Sequence, residues 1–89
     1  MTPTNILLNH LGFNGRWHTA SEIFEQTGIS PVEVRQIAGD NGSKIIGGPK
    51  GYRLVTAATR HEIEAACRSL RSRAAKINER AALLETTLA

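Results

Sequence analysis

The order of apolar and polar positions divides this chain into six short elements and one long one. Ile6, Leu7, Leu8 and Leu11 recur at helical spacing between a start at Thr2 or Thr4 and a glycine stop at Gly12, which predicts a first helix. Thr19 with Glu22, Ser30 with Glu33 and Thr59 with Glu62 each have the S/T-x-x-E spacing. In that spacing the hydroxyl caps the third helical amide and the glutamate returns to the cap's own N–H, so each pair marks a helix start. At the second of them Pro31 takes the first helical position, where its fixed φ helps and its missing N–H costs nothing. The helix from Pro31 is expected to end at Ala38, because "GDNGS" follows and breaks the pattern. Two extended runs, "KIIG" and "YRLV", flank "GPKG", the composition of a tight reversal, and predict a β-hairpin. The segment "GRWH", Gly15 to His18, is short and carries an aromatic, so it is expected to add one edge strand. The order is helix, short strand, helix, turn, helix, hairpin, long helix.

The long element has the strongest period. From Ile63 the apolar positions Cys67, Leu70, Ala74, Ile77, Ala81, Leu84 and Leu88 follow at alternating steps of 4 and 3, a heptad seam. A helix over residues 60–88 would extend about 43 Å, far beyond the body that residues 1–58 can form. The pattern predicts a domain of residues 1–58, followed by an oligomerisation helix over 59–89. A second copy is the expected partner for the seam, and Ala74 and Ala81 would let two helices approach closely. In a parallel pair Arg80 would face Glu85 of the partner subunit. In a fully overlapped antiparallel pair Arg73 would meet Arg80, and Glu64 would meet Glu85. Charge therefore leans towards the parallel arrangement, although each flanking pair is worth only about 0.2–0.5 kcal/mol.

Residues 4–56 resemble the winged helix-turn-helix family. "TASEIFEQTGISPVEVRQIA" is similar to its helix-turn-helix core, with Gly28 at the turn, Ile23 before it, and Ile29, Val34 and Ile37 at the apolar positions after it. "GPKGYRL" looks like the wing of the biotin operon repressor's N-terminal domain and its relatives, and small proteins with a similar trailing Ala/Arg-rich helix occur among phage genes. MerR-type regulators likewise place a dimerising coiled coil after a winged helix. The resemblance implies a mainly α fold with a small β-hairpin, a winged helix-turn-helix followed by a dimerisation helix, and a double-stranded DNA partner. The chain departs from the family at Phe24, where Ala or Gly is usual, and in its recognition helix, which is about a turn shorter.

On the helix from Pro31, Val34 and Ile37 face the core, leaving Val32, Glu33, Arg35 and Gln36 outside. Arg35 and Gln36 are the candidate base readers, since arginine forks onto guanine and glutamine onto adenine; an ordinary solvated surface would carry the same types. Ser30 and the free amides behind it are a candidate phosphate contact. On the hairpin, Lys44, Lys50 and Arg53 form a candidate phosphate-facing set, or equally a set of charges that protects an edge strand from pairing. Tyr52 and Leu54 alternate inward, as does Trp17, and these aromatics are not read as base-stacking platforms.

Composition narrows the function. Eighty-nine residues allow one small domain with little room for a catalytic cavity, so a binding module rather than an enzyme is expected. The single Cys67 excludes a disulfide framework, the N-terminal residues lack a signal-like pattern, and an intracellular, cytoplasmic protein without membrane contact is expected. His10, His18, His61 and Cys67 lack metal-ligand spacing, and "GGPKG" lacks the phosphate-loop spacing; no metal or cofactor is expected. The formal net charge of +3 suits a polyanion only mildly. Residues 1–58 carry five Lys/Arg against four Asp/Glu, and residues 59–89 six against four. The leading expectation is a dimeric DNA-binding regulator or phage nucleoprotein assembly factor. The alternatives are a protein-interaction adaptor on the same scaffold and a small terminase or replication accessory subunit.

Overall fold

Every α-helix of this protein starts where a side-chain hydroxyl reaches an amide three residues on. The computed structural model describes residues 2–88. Thr2 caps α1 (Pro3–Gly12), Thr19 caps α2 (Ala20–Thr27), Ser30 caps α3 (Pro31–Asp40) and Thr59 caps α4 (Arg60–Glu85). Of the three glutamate pairs, only Thr59–Glu62 closes the reciprocal box. The Glu22 carboxylate instead pairs with Arg16, and Glu33 accepts from the Ser30 hydroxyl. α1 ends at Gly12 without a left-handed glycine: the next residue, Phe13, is right-handed helical, and the left-handed turn comes at Gly15.

α3 outruns its expected end at Ala38 and continues to Asp40. A glycine inside a helix costs about 1 kcal/mol relative to alanine, so Gly39 weakens the helix without ending it. The stop is Asn41. Its amide N–H bonds the Ile37 and Ala38 carbonyls at 3.0 and 3.3 Å, and its side-chain Nδ2 bonds the Ile37 carbonyl at 2.9 Å. Those are carbonyls a helix end leaves without intrahelical partners. The Asn41 carbonyl then accepts from Lys44 and Ile45 and leads the chain into the hairpin.

The hairpin pairs β1 (Ile45–Gly48) with β2 (Gly51–Leu54) antiparallel, Ile45 opposite Leu54 and Ile46 opposite Arg53. The expected edge strand reduces to one bridge: His18 and Tyr52 exchange both backbone bonds at 2.8 Å. One face of the hairpin meets the helices. Leu7, Leu11, Ile23, Ile29, Val34, Ile37 and Ile45 form the buried cluster, and Tyr52 and Leu54 pack against it. Each such buried aliphatic side chain contributes about 1.5–3 kcal/mol.

The second face of the hairpin is covered as well. α4 packs on β1, Ile46 is buried, and Trp17 lies against Gly48. Residues 59–88 are therefore not a free appendage: the first turns of α4, with Glu62, Ile63, Ala66 and Cys67 half-buried, belong to the body. From Arg68 to Leu88 every position is exposed, and the chain reaches 53 Å in its longest dimension. The last turn is a 3-10 segment, Thr86–Leu88, in which the Thr86 and Thr87 hydroxyls return to the Leu83 and Leu84 carbonyls.

Candidate nucleic-acid interface

The outer face of α3 follows from how its inner face is held. Gly28 closes α2 in the left-handed conformation at φ 78°, and its amide bonds the Phe24 carbonyl at 2.8 Å. The Thr27 hydroxyl donates to the Ile23 carbonyl and accepts from the Ile29 amide, which turns Ile29 into the core. α3 then buries Val34 and Ile37 and presents Val32, Glu33, Arg35 and Gln36 to solvent. Val32 is 67% exposed, an apolar side chain largely open to solvent. Phe24 does not fill the α2–α3 crossing; it is half-exposed on the outside of α2.

Ser30 is half-buried and its hydroxyl is taken by the cap, accepting from the Glu33 amide at 3.2 Å. Arg35 and Gln36 are exposed on adjacent positions. The hairpin cations do not form the set expected of them. Lys50 lies exposed in the turn between the strands, whereas Lys44 precedes β1 at the other end, about 16 Å away along a four-residue strand. Lys44 instead borders a shallow apolar groove with Leu8, Leu54 and Thr56.

The Arg53 side chain is mostly buried, and its guanidinium is engaged within the chain. Its Nη1 bonds both Glu62 oxygens at 2.9 and 3.1 Å, its Nε bonds the Gly15 carbonyl at 3.0 Å, and its guanidinium stacks over Trp17 at 5.1 Å. The strand alternation correctly puts Arg53 opposite to Tyr52 and Leu54, but that side faces α4 rather than water. The sequence carries part of the signal for this pairing, since the Thr59–Glu62 spacing makes Glu62 a cap. Its second role depends on a contact between residues distant along the chain, which no local spacing encodes.

Glu62 is the hub of this contact. The Thr59 amide, then the Trp17 indole N–H at 2.9 Å and Arg53, hold its carboxyl below the ordinary range, against the opposing effect of burial. Glu22 is likewise held low, chiefly by its hydrogen bond to Arg16. Beneath them lies His18, only 2% exposed. Its Nε2 meets the Asn14 oxygen at 3.1 Å, while its Nδ1 has no hydrogen bond. Its ring sits 4.8 Å from that of His10, whose Nε2 is also buried without a partner. Burial first, and then Arg16 and His10, lower the His18 pKa; Glu22 only partly offsets them.

Among the described residues, no group of three or more His, Cys, Asp or Glu is placed to hold a metal ion, and no helix is long and apolar enough to cross a membrane. Of the expected self-association residues, Ile63 and Cys67 are half-buried at the base of α4, whereas Leu70, Ala74, Ile77, Ala81, Leu84 and Leu88 are exposed. The chain matches no protein-family model, no curated protein and no solved structure.

Proposed function

We propose that this protein binds double-stranded DNA, with the outer face of α3 in the major groove and the hairpin tip beside the backbone. It would act as a self-associating winged-helix regulator or nucleoprotein assembly factor. The observation that carries this reading is the presentation of α3: a helix anchored by Val34 and Ile37 against α2, with Val32, Arg35 and Gln36 open to solvent. An arginine and a glutamine on one exposed helix face suit guanine and adenine edges, and an apolar neighbour suits the thymine methyl. At ten residues α3 is also longer than the sequence pattern implied, which returns part of the reach that a shorter helix would lack. Lys50 in the turn supplies a phosphate contact.

A duplex titration at several salt concentrations tests it. Arg35→Ala and Gln36→Ala should each reduce discrimination between preferred and random duplex by about 1–3 kcal/mol. Lys50→Ala should weaken binding to all sequences alike and lower the salt slope by about one. Absence of duplex binding at low salt would reject the proposal.

One observation favours a protein-binding adaptor instead. Arg16 pairs with Glu22 and Arg53 with Glu62. Among the described residues up to Ala58 this leaves Arg35, Lys44 and Lys50 against Glu25, Glu33 and Asp40, an even balance. The basic excess lies on α4, where Arg68, Arg71, Arg73 and Lys76 occupy a stretch without an acid between Glu64 and Glu79.

A further inference from the structure

Ile63, Ala66, Cys67 and Leu70 follow one another at steps of three, one and three, so they share one side of α4. The first three are half-buried and Leu70 is exposed. The side of α4 that packs on the hairpin is thus the same side that carries the heptad seam, and the seam emerges from behind the body at Leu70. Leu70, Ile77, Leu84 and Leu88 are 59, 67, 61 and 85% exposed, an apolar edge that continues for about 27 Å at 1.5 Å per residue.

We propose that a second copy of this chain covers the seam from Leu70 to Leu88 in the antiparallel direction, Leu70 of one copy beside Leu88 of the other. The inference deepens the DNA-binding reading, and only its consequence for DNA geometry rests on that reading.

The position of the body selects the direction. Packed helices lie 8–10 Å apart, while the smallest dimension of the chain is 19 Å. In a parallel pair each body would lie on the seam side, below Leu70 and level with the other, and both would need the same space between the helices. Antiparallel packing removes the conflict, because each helix tip ends where the other chain's body begins. Charge complementarity in this register points the same way. With Leu70 beside Leu88, Arg71 of each copy flanks Glu85 of the partner subunit, giving two favourable pairs. The two Arg80 side chains approach at the dyad, a single unfavourable one. α4 has no basic residue in its own last turn; the antiparallel partner brings Arg71 to that negative helix end. The parallel arrangement favoured by Arg80 and Glu85 in sequence gives way to this volume constraint.

The consequence for DNA is a separation of the reading surfaces. The starts of the two α4 helices lie about 60 Å apart along such a stem. Helix-turn-helix dimers on half-sites one turn apart need about 34–36 Å. The antiparallel pair therefore suits widely spaced sites or two duplex segments rather than adjacent half-sites.

The test is a spin-label distance measurement on the full chain in a Cys67→Ala background, with Ala65→Cys as the labelled position. Ala65 is exposed on the side away from the seam. Two labels in an antiparallel dimer lie on the order of 40 Å apart along the stem. A distance under about 30 Å, as expected for labels on the outer sides of two parallel helices 8–10 Å apart, overturns the proposed direction. A monomer by sedimentation at high micromolar concentration overturns the interface. Ile77→Glu should convert the dimer to monomer while Trp17 fluorescence keeps its folded value, since Ile77 is 67% exposed within one chain. Retention of the dimer by that variant would also overturn the interface. A duplex titration run in parallel separates the two proposals, because an antiparallel dimer without DNA affinity would reject the function and leave the interface standing.

Discussion

Gly51 shows how narrowly one residue can be constrained. Its φ is 117°, a region that side chains rarely enter, and a Cβ there would stand 2.1 Å from the His18 carbonyl oxygen. That oxygen accepts from Tyr52 in the bridge that ties the segment between α1 and α2 to the hairpin. Gly51→Ala is expected to lose the bridge and to cost at least about 1–3 kcal/mol, as overpacking against backbone does. Gly28→Ala should cost about 1–2 kcal/mol from its left-handed φ alone, since nothing stands within 4 Å of the added carbon. Urea unfolding followed by circular dichroism would rank the two, and an equal cost would contradict the steric account of Gly51.

Titration at His18, Glu22 and Glu62 sets the acid response. The folded pKa of His18 lies below its ordinary 6.5. The unfolded chain therefore binds a proton that the folded chain refuses, and stability present above about pH 6.5 falls as the pH drops below it. Glu22 and Glu62 are depressed below 4.5; their contribution is present above that pH and is lost as the pH falls below it towards their lowered folded values. Two windows of acid destabilisation are expected, and His18→Phe should remove the upper one. A stability profile between pH 7.5 and 5 as steep in that variant as in the wild type would contradict the assignment. Glu62→Gln, which keeps the shape and loses the anion, should lower the melting temperature and flatten the lower window.

Among the elements, the hairpin changes most between pattern and structure. Alternation along "YRLV" gave the correct inward residues, Tyr52 and Leu54, and the correct opposite face for Arg53. It could not say that the opposite face is roofed by Trp17 and the base of α4. Arg53→Ala is accordingly expected to cost on the order of 1–3 kcal/mol of stability, from the hydrogen bonds of a mostly buried guanidinium. The same substitution should leave the salt slope of the proposed DNA binding unchanged, unlike Lys50→Ala. Chemical denaturation and a salt-dependent titration on the same two variants would check both halves of that statement. α3 was legible by its start, where Ser30, Pro31 and Glu33 agree. Its end was not, because a single Gly39 is a tolerable cost once the Asn41 side chain and amide collect the free carbonyls.

At the level of the whole molecule, every position from Arg68 to Leu88 is exposed. A chain ending after Leu70 is expected to keep its hairpin and helix core, with a melting temperature close to the full protein's under dilute conditions. On the proposed interface it should sediment as a monomer at concentrations where the full chain is expected to sediment as a dimer. A collapse of the truncated body would show that the outer helix supports folding in some other way.

The sequence by itself determined the helix starts, the turn residues, the hairpin and the heptad seam, because each depends on groups within a few positions of one another: a hydroxyl and an amide three residues apart, a glycine at one φ, an apolar side chain every three or four residues. Only the tertiary structure decided where Arg53 points, that Glu62 serves as a joint as well as a cap, and that the seam faces its own body at the base of α4. Those outcomes depend on Gly15, Trp17, Arg53 and Glu62 meeting across separations of up to 45 residues. Such contacts are set by how packed elements share volume, and no periodicity along the chain records that.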